Sequence, residues 1–236
     1  MADAKYDVVA LGNAIVDIIG RCEDSFLDKH GAPKGHMRLV DPAVIDTIYA
    51  DMGQAIEISG GSAANTAAGI ASLGGRAAFI GKVADDEFGR IFRHDIGAAG
   101  VSFSTPAATE AKRATSRSLI LVTPDGQRTM NTFLGISTEF NQRDVDPAVI
   151  EASRIVYLEG YLFDREEAKG AFREAADIAK KAGRQVALTL SDSFCVDRHR
   201  AEFLQFIRAG IDILFANESE ILSLYETASF DEAVRH

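Results

Sequence analysis

The residues best suited to chemistry are a double glycine and the small and polar residues after it. Gly60 and Gly61 lead into the stretch Ser-Ala-Ala-Asn-Thr-Ala-Ala, in which Asn65 stands one helical turn further on. Adjacent glycines permit positive φ and let a ligand approach the backbone, and the N-terminus of a following helix offers unpaired N–H groups. The segment therefore predicts a site for a polar ligand. The alternative is a tight turn before an alanine-rich buried helix.

A carboxylate supplies a second candidate group. Asp17 comes shortly after the apolar segment of residues 6–12, which predicts a strand. Open parallel sheets bind ligands at the carboxyl ends of their strands, and a carboxylate that accepts from two adjacent hydroxyls suits a ribose or another sugar diol. The alternative is a solvated loop carboxylate, and the position of Asp17 alone leaves both interpretations open.

Further motifs follow in a fixed order along the chain. They are Gly12-Asn13-Ala14-Ile15-Val16-Asp17, a Gly-x-Val-Ala-x-Asp-x-x-Gly segment at residues 81–89, and Asn-x-x-Glu at residues 217–220. Together with the Gly-Gly-x-x-x-Asn segment, this set resembles the ribokinase-like (phosphofructokinase-B) family of carbohydrate and nucleoside kinases over essentially the whole chain. Within that family the sequence is most similar to the adenosine kinase branch.

The resemblance implies an activity and a substrate site. The expected reaction is ATP-dependent phosphorylation of a primary hydroxyl of a nucleoside or sugar, with adenosine as the first candidate and Mg²⁺ bridging the phosphates. The resemblance implies that the sugar is held by Asn13, Asp17, Gly60, Gly61 and Asn65. Two alternatives stay open: a kinase for ribose, fructose or a keto-deoxy sugar acid, and a non-catalytic module that binds a sugar or nucleoside.

Two residues of the predicted hairpin at residues 115–134 are candidates for contacts above the substrate. Phe133 on the return strand would cover an apolar face of the substrate. Arg128 would neutralise charge on the transferring phosphoryl group, as arginines do in phosphoryl transfer. An ordinary exposed strand is the alternative for both, because periodicity does not separate the two interpretations.

The polar residues after the late strands are candidates for the phosphate and metal side of the site. Asn217 and Glu220 lie three residues apart, so both can face one side of a helix and position water around Mg²⁺, which retains several waters when proteins bind it. Asp192 follows another predicted strand and is expected near the phosphates. The alternative is a plain helix cap at Asn217 with Glu220 as a first-turn charge.

One motif of the resembled family has no match in this sequence. The family's catalytic base is an aspartate in a Gly-Ala-Gly-Asp loop near the C-terminus, and these 236 residues contain no such string. We therefore expect a C-terminally truncated member of the family, whose base lies beyond His236 and which is inactive alone.

Composition excludes several partner classes. With 47% hydrophobic residues the chain can bury a large core, whereas its net charge of −10 disfavours nucleic acid. No apolar run is long enough to span a bilayer, and residues 1–7 are acidic and lack an apolar targeting segment. We expect a cytoplasmic protein that binds a small molecule, as a monomer or homodimer.

Strand and helix patterns alternate along most of the chain. Strands are predicted at residues 6–12, 15–21, 37–40, 55–59, 77–82, 115–123, 128–134, 154–158, 185–190 and 211–216, and helices at 41–52, 62–73, 87–99, 165–181, 197–209, 218–225 and 230–236. This alternation predicts an α/β fold with a doubly wound, mostly parallel sheet over residues 1–236. The resemblance adds a small β-sheet lid from about residues 13–58 and 101–136.

Overall fold

The computed structural model describes residues 4–235, which form eleven strands and nine α-helices. The strands are β1 (Tyr6–Leu11), β2 (Ile15–Arg21), β3 (Met37–Leu39), β4 (Ala55–Gly60), β5 (Ala77–Ile80), β6 (Val101–Ser102), β7 (Ser116–Val122), β8 (Arg128–Phe133), β9 (Ser153–Glu159), β10 (Gln185–Thr189) and β11 (Ile213–Phe215). The helices are α1 (Asp24–Lys29), α2 (Pro42–Asp51), α3 (Ser62–Ser72), α4 (Glu87–Ala98), α5 (Pro147–Glu151), α6 (Glu166–Lys181), α7 (Ser193–Gly210), α8 (Glu218–Tyr225) and α9 (Phe230–Ala233).

Six strands form the main sheet in the order β11-β10-β9-β1-β5-β6, and all neighbouring strands are parallel. Helices α6 and α7 follow β9 and β10, as expected for crossovers between parallel strands. A second, mixed sheet has the order β3-β8-β7-β2-β4. The predicted α/β fold with a mostly parallel sheet is confirmed.

Helix α6 shows why the main sheet acquires a covered face. Its alanines and Phe172 recur at helical spacing and are buried against the sheet strands, whose side chains on that face include Val156 and Leu188. Acidic residues occupy its first turn and lysines its last, which is the favourable arrangement relative to the helix dipole. The sequence of α6 thus specifies both the helix and the face that it buries.

The second sheet packs one face on α2 and α4. Side chains of β2 and β7 on this face, such as Ile18 and Leu119, share a core with Ile45, Ile48 and Phe92 of these helices. The strands of this sheet lie within residues 15–60 and 116–133, so β4 extends two residues beyond the predicted end at 58, and β6 in the second predicted range pairs with β5 in the main sheet. The second sheet therefore resumes only at Ser116, and the predicted boundary at residue 101 is too early.

Helix boundaries differ from the prediction in the last third of the chain. Helix α7 begins at Ser193 rather than near residue 197, because the Asp192 carboxylate accepts a hydrogen bond from the Cys195 N–H at 2.6 Å and caps the helix. The helix predicted at residues 230–236 is observed as α9, and His236 lies outside the described residues.

The helices do not include a membrane-spanning segment within residues 4–235. The longest of them, α7, has 18 residues and contains several charged side chains, including Asp197 and Arg198. A bilayer-spanning helix needs about 20 predominantly apolar residues.

Candidate active site

The centre of the candidate site is the turn between β4 and α3. Gly61 occupies this turn with φ 100°, a conformation that L side chains rarely adopt. A Cβ at Gly61 would also overlap with the carbonyl oxygen of Asn13. The absence of a side chain at Gly61 therefore lets the β4–α3 turn contact the β1–β2 loop. This loop connects the main sheet to the second sheet.

Asp17 lies beside this turn on β2, opposite Ile58 of β4 in the antiparallel pair. Its carboxylate lies so close to Gly60 that a Cβ on that glycine would overlap with it. Asp17 is half-buried, and burial raises the pKa of its carboxyl to about 6, with no offsetting neighbour among residues 4–235. Asp17 is thus a strand residue with an available carboxylate, and the solvated loop alternative is wrong.

Two asparagines complete this group of predicted residues. Asn13 is buried, and its N–H donates to the Glu159 carboxylate at 2.8 Å. Asn65 is exposed in the first turn of α3, where its N–H donates to the Gly61 carbonyl at 2.8 Å. The structure therefore brings the five predicted sugar-binding residues of the first half of the chain to one place at the carboxyl end of β1.

Glu159 belongs to the same site and was missed in the sequence. It ends β9, next to β1 in the main sheet, and is only 1% exposed. Burial raises the pKa of its carboxyl to about 7, although hydrogen bonds from Asn13, Ser62 and the Ala63 N–H lower it in part. The sequence did contain one signal for Glu159, an acidic residue directly after the apolar run of β9. Acidic residues are rarely buried unless they are paired, so a carboxylate at the end of a core strand indicates a polar site there.

Three predicted residues follow the next strands of the main sheet. Asp192 comes after β10 and caps α7, whereas Asn217 and Glu220 come after β11 and form a reciprocal capping box at α8. The Asn217 Oδ1 atom accepts from the Glu220 N–H at 2.9 Å, and a Glu220 oxygen accepts from the Asn217 N–H at 3.1 Å. Their observed contacts are those of helix caps, and a role near phosphates stays a prediction.

The hydrogen bonds of the α8 cap bear on whether Asn217 and Glu220 can bind Mg²⁺ directly. The carboxylate of Glu220 is buried and accepts hydrogen bonds from both the backbone N–H and the side-chain amide of Asn217. Within residues 4–235, no group of three or more His, Cys, Asp or Glu side chains is arranged to hold a metal ion. The observed arrangement therefore does not provide a set of direct ligands, and no chemical step is derived through a metal.

Phe133 lies on the face of the second sheet opposite to the face that carries Asp17. Its ring is 6% exposed and belongs to the core beneath that sheet. The guanidinium of Arg117, itself buried, lies between the rings of Phe133 and Phe88 and pairs with Asp46 at 2.9 Å. The prediction for Phe133 is wrong because its place on the strand turns the side chain towards α2 and α4.

Arg128 lies at the far end of the second sheet. It begins β8 and is paired with Val122, whereas Asp17 is in register with Ser118 and Thr132. Val122 lies four residue steps along β7 from Ser118, which corresponds to roughly 13 Å along a strand. The structure does not bring Arg128 to the other candidate residues, so its placement lends no support to a contact with a transferring phosphoryl group.

Comparison with known proteins identifies the family of this chain. The model for the pfkB family of carbohydrate kinases matches residues 49–235. The chain belongs to this family. The region matched includes the β4–α3 turn, Glu159 and the late strands of the main sheet.

Two solved pfkB-like structures resemble this chain closely. The adenosine kinase from Sinorhizobium meliloti is 56% identical with a TM-score of 0.87, covering 98% of this chain and 71% of that one. A probable sugar kinase from Rhizobium etli CFN 42 is 50% identical with a TM-score of 0.88, covering 98% and 70%. Among curated proteins, probable fructokinase-4 of Arabidopsis thaliana is 32% identical over 60% of this chain and 44% of its own length. The pfkB chain spans about half or less of the curated fructokinases that it matches.

The Gly61 turn can be tested by stability measurements. We expect Gly61→Ala to lower the free energy of unfolding by about 2–4 kcal/mol, because a Cβ meets both the positive φ and the Asn13 carbonyl. Gly69→Ala is the matched control in α3, where a Cβ meets nothing within 4 Å; it should raise stability by about 0.5–1 kcal/mol. Denaturant titration measures both, and equal effects of the two substitutions would contradict the argument.

The buried Glu159 predicts a pH-dependent stability. Its carboxyl has a pKa of about 7 in the folded chain against 4.5 for the ordinary group. Its contribution to the free energy of unfolding is therefore fully present below pH 4.5 and is lost as the pH rises towards 7. Over this interval the free energy of unfolding of the wild-type chain should fall by roughly 3 kcal/mol more than that of Glu159→Gln. Urea titrations at pH 4.5, 6 and 7.5 measure the difference, and parallel pH profiles of the two proteins would contradict it.

Proposed function

We propose that this pfkB chain supplies the acceptor site of an ATP-dependent kinase that phosphorylates a primary hydroxyl of a nucleoside, with adenosine as the first candidate. The observation that carries the proposal is the available Asp17 carboxylate above Gly60. A carboxylate can accept hydrogen bonds from both hydroxyls of a ribose diol, and Asn65 adds an exposed amide one helical turn away.

The open face of the second sheet favours a nucleoside over a free sugar. Strand alternation places Ile15 and Ile19 on the same face of β2 as Asp17, with Ile56 and Ile58 beside them on β4. Ile56 is 66% exposed, whereas the opposite face of β2 is buried in the core. An apolar surface next to a diol-binding carboxylate suits a nucleobase attached to a ribose, because ligand sites combine apolar walls with a few polar groups.

In this proposal the second sheet acts as a lid over the acceptor. The sheet meets the main domain at the β1–β2 loop and at the Gly60–Gly61 turn, which border the proposed ribose position. Closure of such an element excludes water from phosphoryl transfer and brings the reacting groups together. Asn13 and Gly61 lie where the lid joins the main sheet, so their contact would set the position from which the lid moves.

The donor side of the proposed reaction lies along the same edge of the main sheet. Asp192 and Asn217 follow β10 and β11, two and three strands from β1, which corresponds to roughly 10–15 Å. We propose that ATP binds with its phosphates between these positions and β1, and that Mg²⁺ is held mainly by those phosphates and water. The transfer step is proposed for the whole protein, and no residue of this chain is named as its base.

A hexose or pentose is the second candidate acceptor, because the curated relatives include probable fructokinases. A free sugar would use the Asp17 and Asn65 side chains but would leave the apolar face of β2 and β4 uncovered. We further propose that the enzyme works in the cytoplasm on small molecules, as a monomer or homodimer. Its net charge of −10 opposes binding to nucleic acid.

Calorimetric titration of the 236-residue chain tests the acceptor. Adenosine should bind at pH 7.5, and Asp17→Asn should weaken binding at least tenfold because the amide loses one acceptor position. In the wild-type chain the affinity should fall as the pH drops below about 6, where the free carboxyl becomes protonated, by about tenfold per pH unit.

Glu57→Gln is the matched control for this titration, because Glu57 lies on β4 opposite Ile18 and accepts from Tyr49 on the other face of the sheet. Its affinity for adenosine should equal that of the wild type. Binding of fructose or ribose with higher affinity than adenosine would favour the second candidate. Adenosine binding that is indifferent to both Asp17→Asn and pH would refute the proposed role of Asp17.

A further inference from the structure

The buried carboxyl of Glu159 contacts two segments that connect the main sheet to the second sheet. Its Oε2 atom accepts a hydrogen bond from the Asn13 N–H at 2.8 Å, and the same carboxyl accepts from the Ser62 side chain and the Ala63 N–H. Asn13 belongs to the β1–β2 loop, whereas Ser62 and Ala63 lie in the first turn of α3. One side chain of the main sheet therefore holds the loop and the turn together.

The carboxyl fits closely at this point. A Cβ on Gly12 would overlap with the Oε2 atom of Glu159 and with the side chain of Ala63, so the absence of a side chain at Gly12 admits the carboxyl. Glu159 is only 1% exposed, and a buried donor that loses its partner has no ready replacement from water. The hydrogen bonds of the loop and the turn therefore depend on the state of the carboxyl itself.

The two backbone partners of Glu159 can only donate. The N–H groups of Asn13 and Ala63 each need an acceptor oxygen, and an ionised carboxylate accepts at both of its oxygens. A protonated carboxyl carries a hydrogen on one oxygen and loses part of its accepting capacity there. The ionised form is thus the one that satisfies the observed arrangement in full, and protonation weakens at least one of its hydrogen bonds.

Burial opposes the ionised form. Desolvation raises the pKa of the Glu159 carboxyl to about 7, so the charged group costs stability at neutral pH although it satisfies its neighbours. The titratable side chains on which its charge acts include Tyr157, Tyr161 and Cys195, and burial raises the pKa of each of them and keeps it neutral near pH 7. Glu159 is therefore the group of this cluster that changes its charge near pH 7.

The positions of Asn13 and Ala63 bear on the acceptor site. The Asn13 carbonyl lies against Gly61, and the preceding residue, Gly60, lies against the Asp17 carboxylate. A shift of the β1–β2 loop or of the β4–α3 turn therefore changes how Asp17 is placed relative to the other groups of the proposed ribose position.

We propose that Glu159 is a proton-linked positioning residue: its ionised form holds the β1–β2 loop and the first turn of α3 in the arrangement that binds the acceptor, and its protonated form releases them in part. The inference rests on the proposed acceptor site at Asp17. The acceptor binds more tightly when Glu159 is ionised, so by linkage its binding releases a proton from this group. The form that binds the acceptor is thus the form that costs stability.

Calorimetric titration with adenosine at pH 8 and pH 6.5 tests the linkage. Glu159→Gln mimics the protonated carboxyl, because its amide nitrogen donates where a carboxylate oxygen accepts. At pH 8 the substitution should weaken binding about fivefold, the size expected for the loss of one hydrogen bond. Between pH 8 and pH 6.5 the affinity of the wild-type chain should fall about threefold and that of Glu159→Gln by less than about 1.5-fold.

Glu57→Gln is the matched control, because Glu57 lies on β4 opposite Ile18 and should keep the wild-type pH profile. The affinities of the wild-type chain and Glu159→Gln should differ by only about twofold at pH 6.5, where much of the wild-type Glu159 is protonated. A ratio of the two affinities that is the same at both pH values overturns the proposal, because a purely structural role does not depend on a proton.

Amide NMR separates this proposal from the proposed acceptor. In the wild-type chain without adenosine, the amide resonances of Asn13 and Ala63 should shift together with a midpoint near pH 7, and Glu159→Gln should abolish the shift. Resonances that do not titrate overturn the role of Glu159 whether or not adenosine binds. Titrating resonances without adenosine binding to any of the proteins support the proton-linked contact and refute the proposed acceptor.

Discussion

The candidate site depends on one close approach of backbone to backbone. Gly61 comes against the Asn13 carbonyl, and the Asn13 N–H donates to the buried Glu159 carboxylate. These contacts join the β1–β2 loop, the β4–α3 turn and the end of β9, three segments that are distant in sequence. Asp17, Asn65 and the open face of the second sheet take their positions from this junction. A side chain at residue 61 would separate the two sheets where the proposed ribose lies.

Burial acts differently on the two carboxylates at this junction. Both have a raised pKa because their charged forms are desolvated. Glu159 is fully enclosed, and its carboxyl accepts hydrogen bonds from backbone and hydroxyl groups that hold the loops together. Asp17 has burial as the only cause of its shift, which leaves its lone pairs for a ligand. The different surroundings therefore separate two roles: Glu159 positions the site, whereas Asp17 can bind an acceptor.

Much of the architecture was accessible from local sequence patterns. The bounds of β2 and α8 agree with the prediction, because a β-branched run and a capping motif are complete within a few residues. The errors arose where tertiary contacts decide. Strand periodicity does not show which face of β8 is covered, so Phe133 was placed towards the substrate although it packs in the core. The resemblance assigned residue 101 to the lid, yet β6 pairs with β5 in the main sheet.

The sequence by itself determined the α/β alternation, the resemblance to the kinase family and the cluster of small residues that allows a close turn, because glycine spacing and apolar periods are local properties of the chain. Only the tertiary structure decided that Glu159 shares the site, that Asn217 and Glu220 satisfy each other as a helix cap, and that Arg128 stands at the far end of its sheet. It also decided that the α3 side of β9, β10 and β11 stays open. The physical reason is that burial, pKa and hydrogen-bond partners arise from pairings between distant segments, and no local pattern encodes which segments meet.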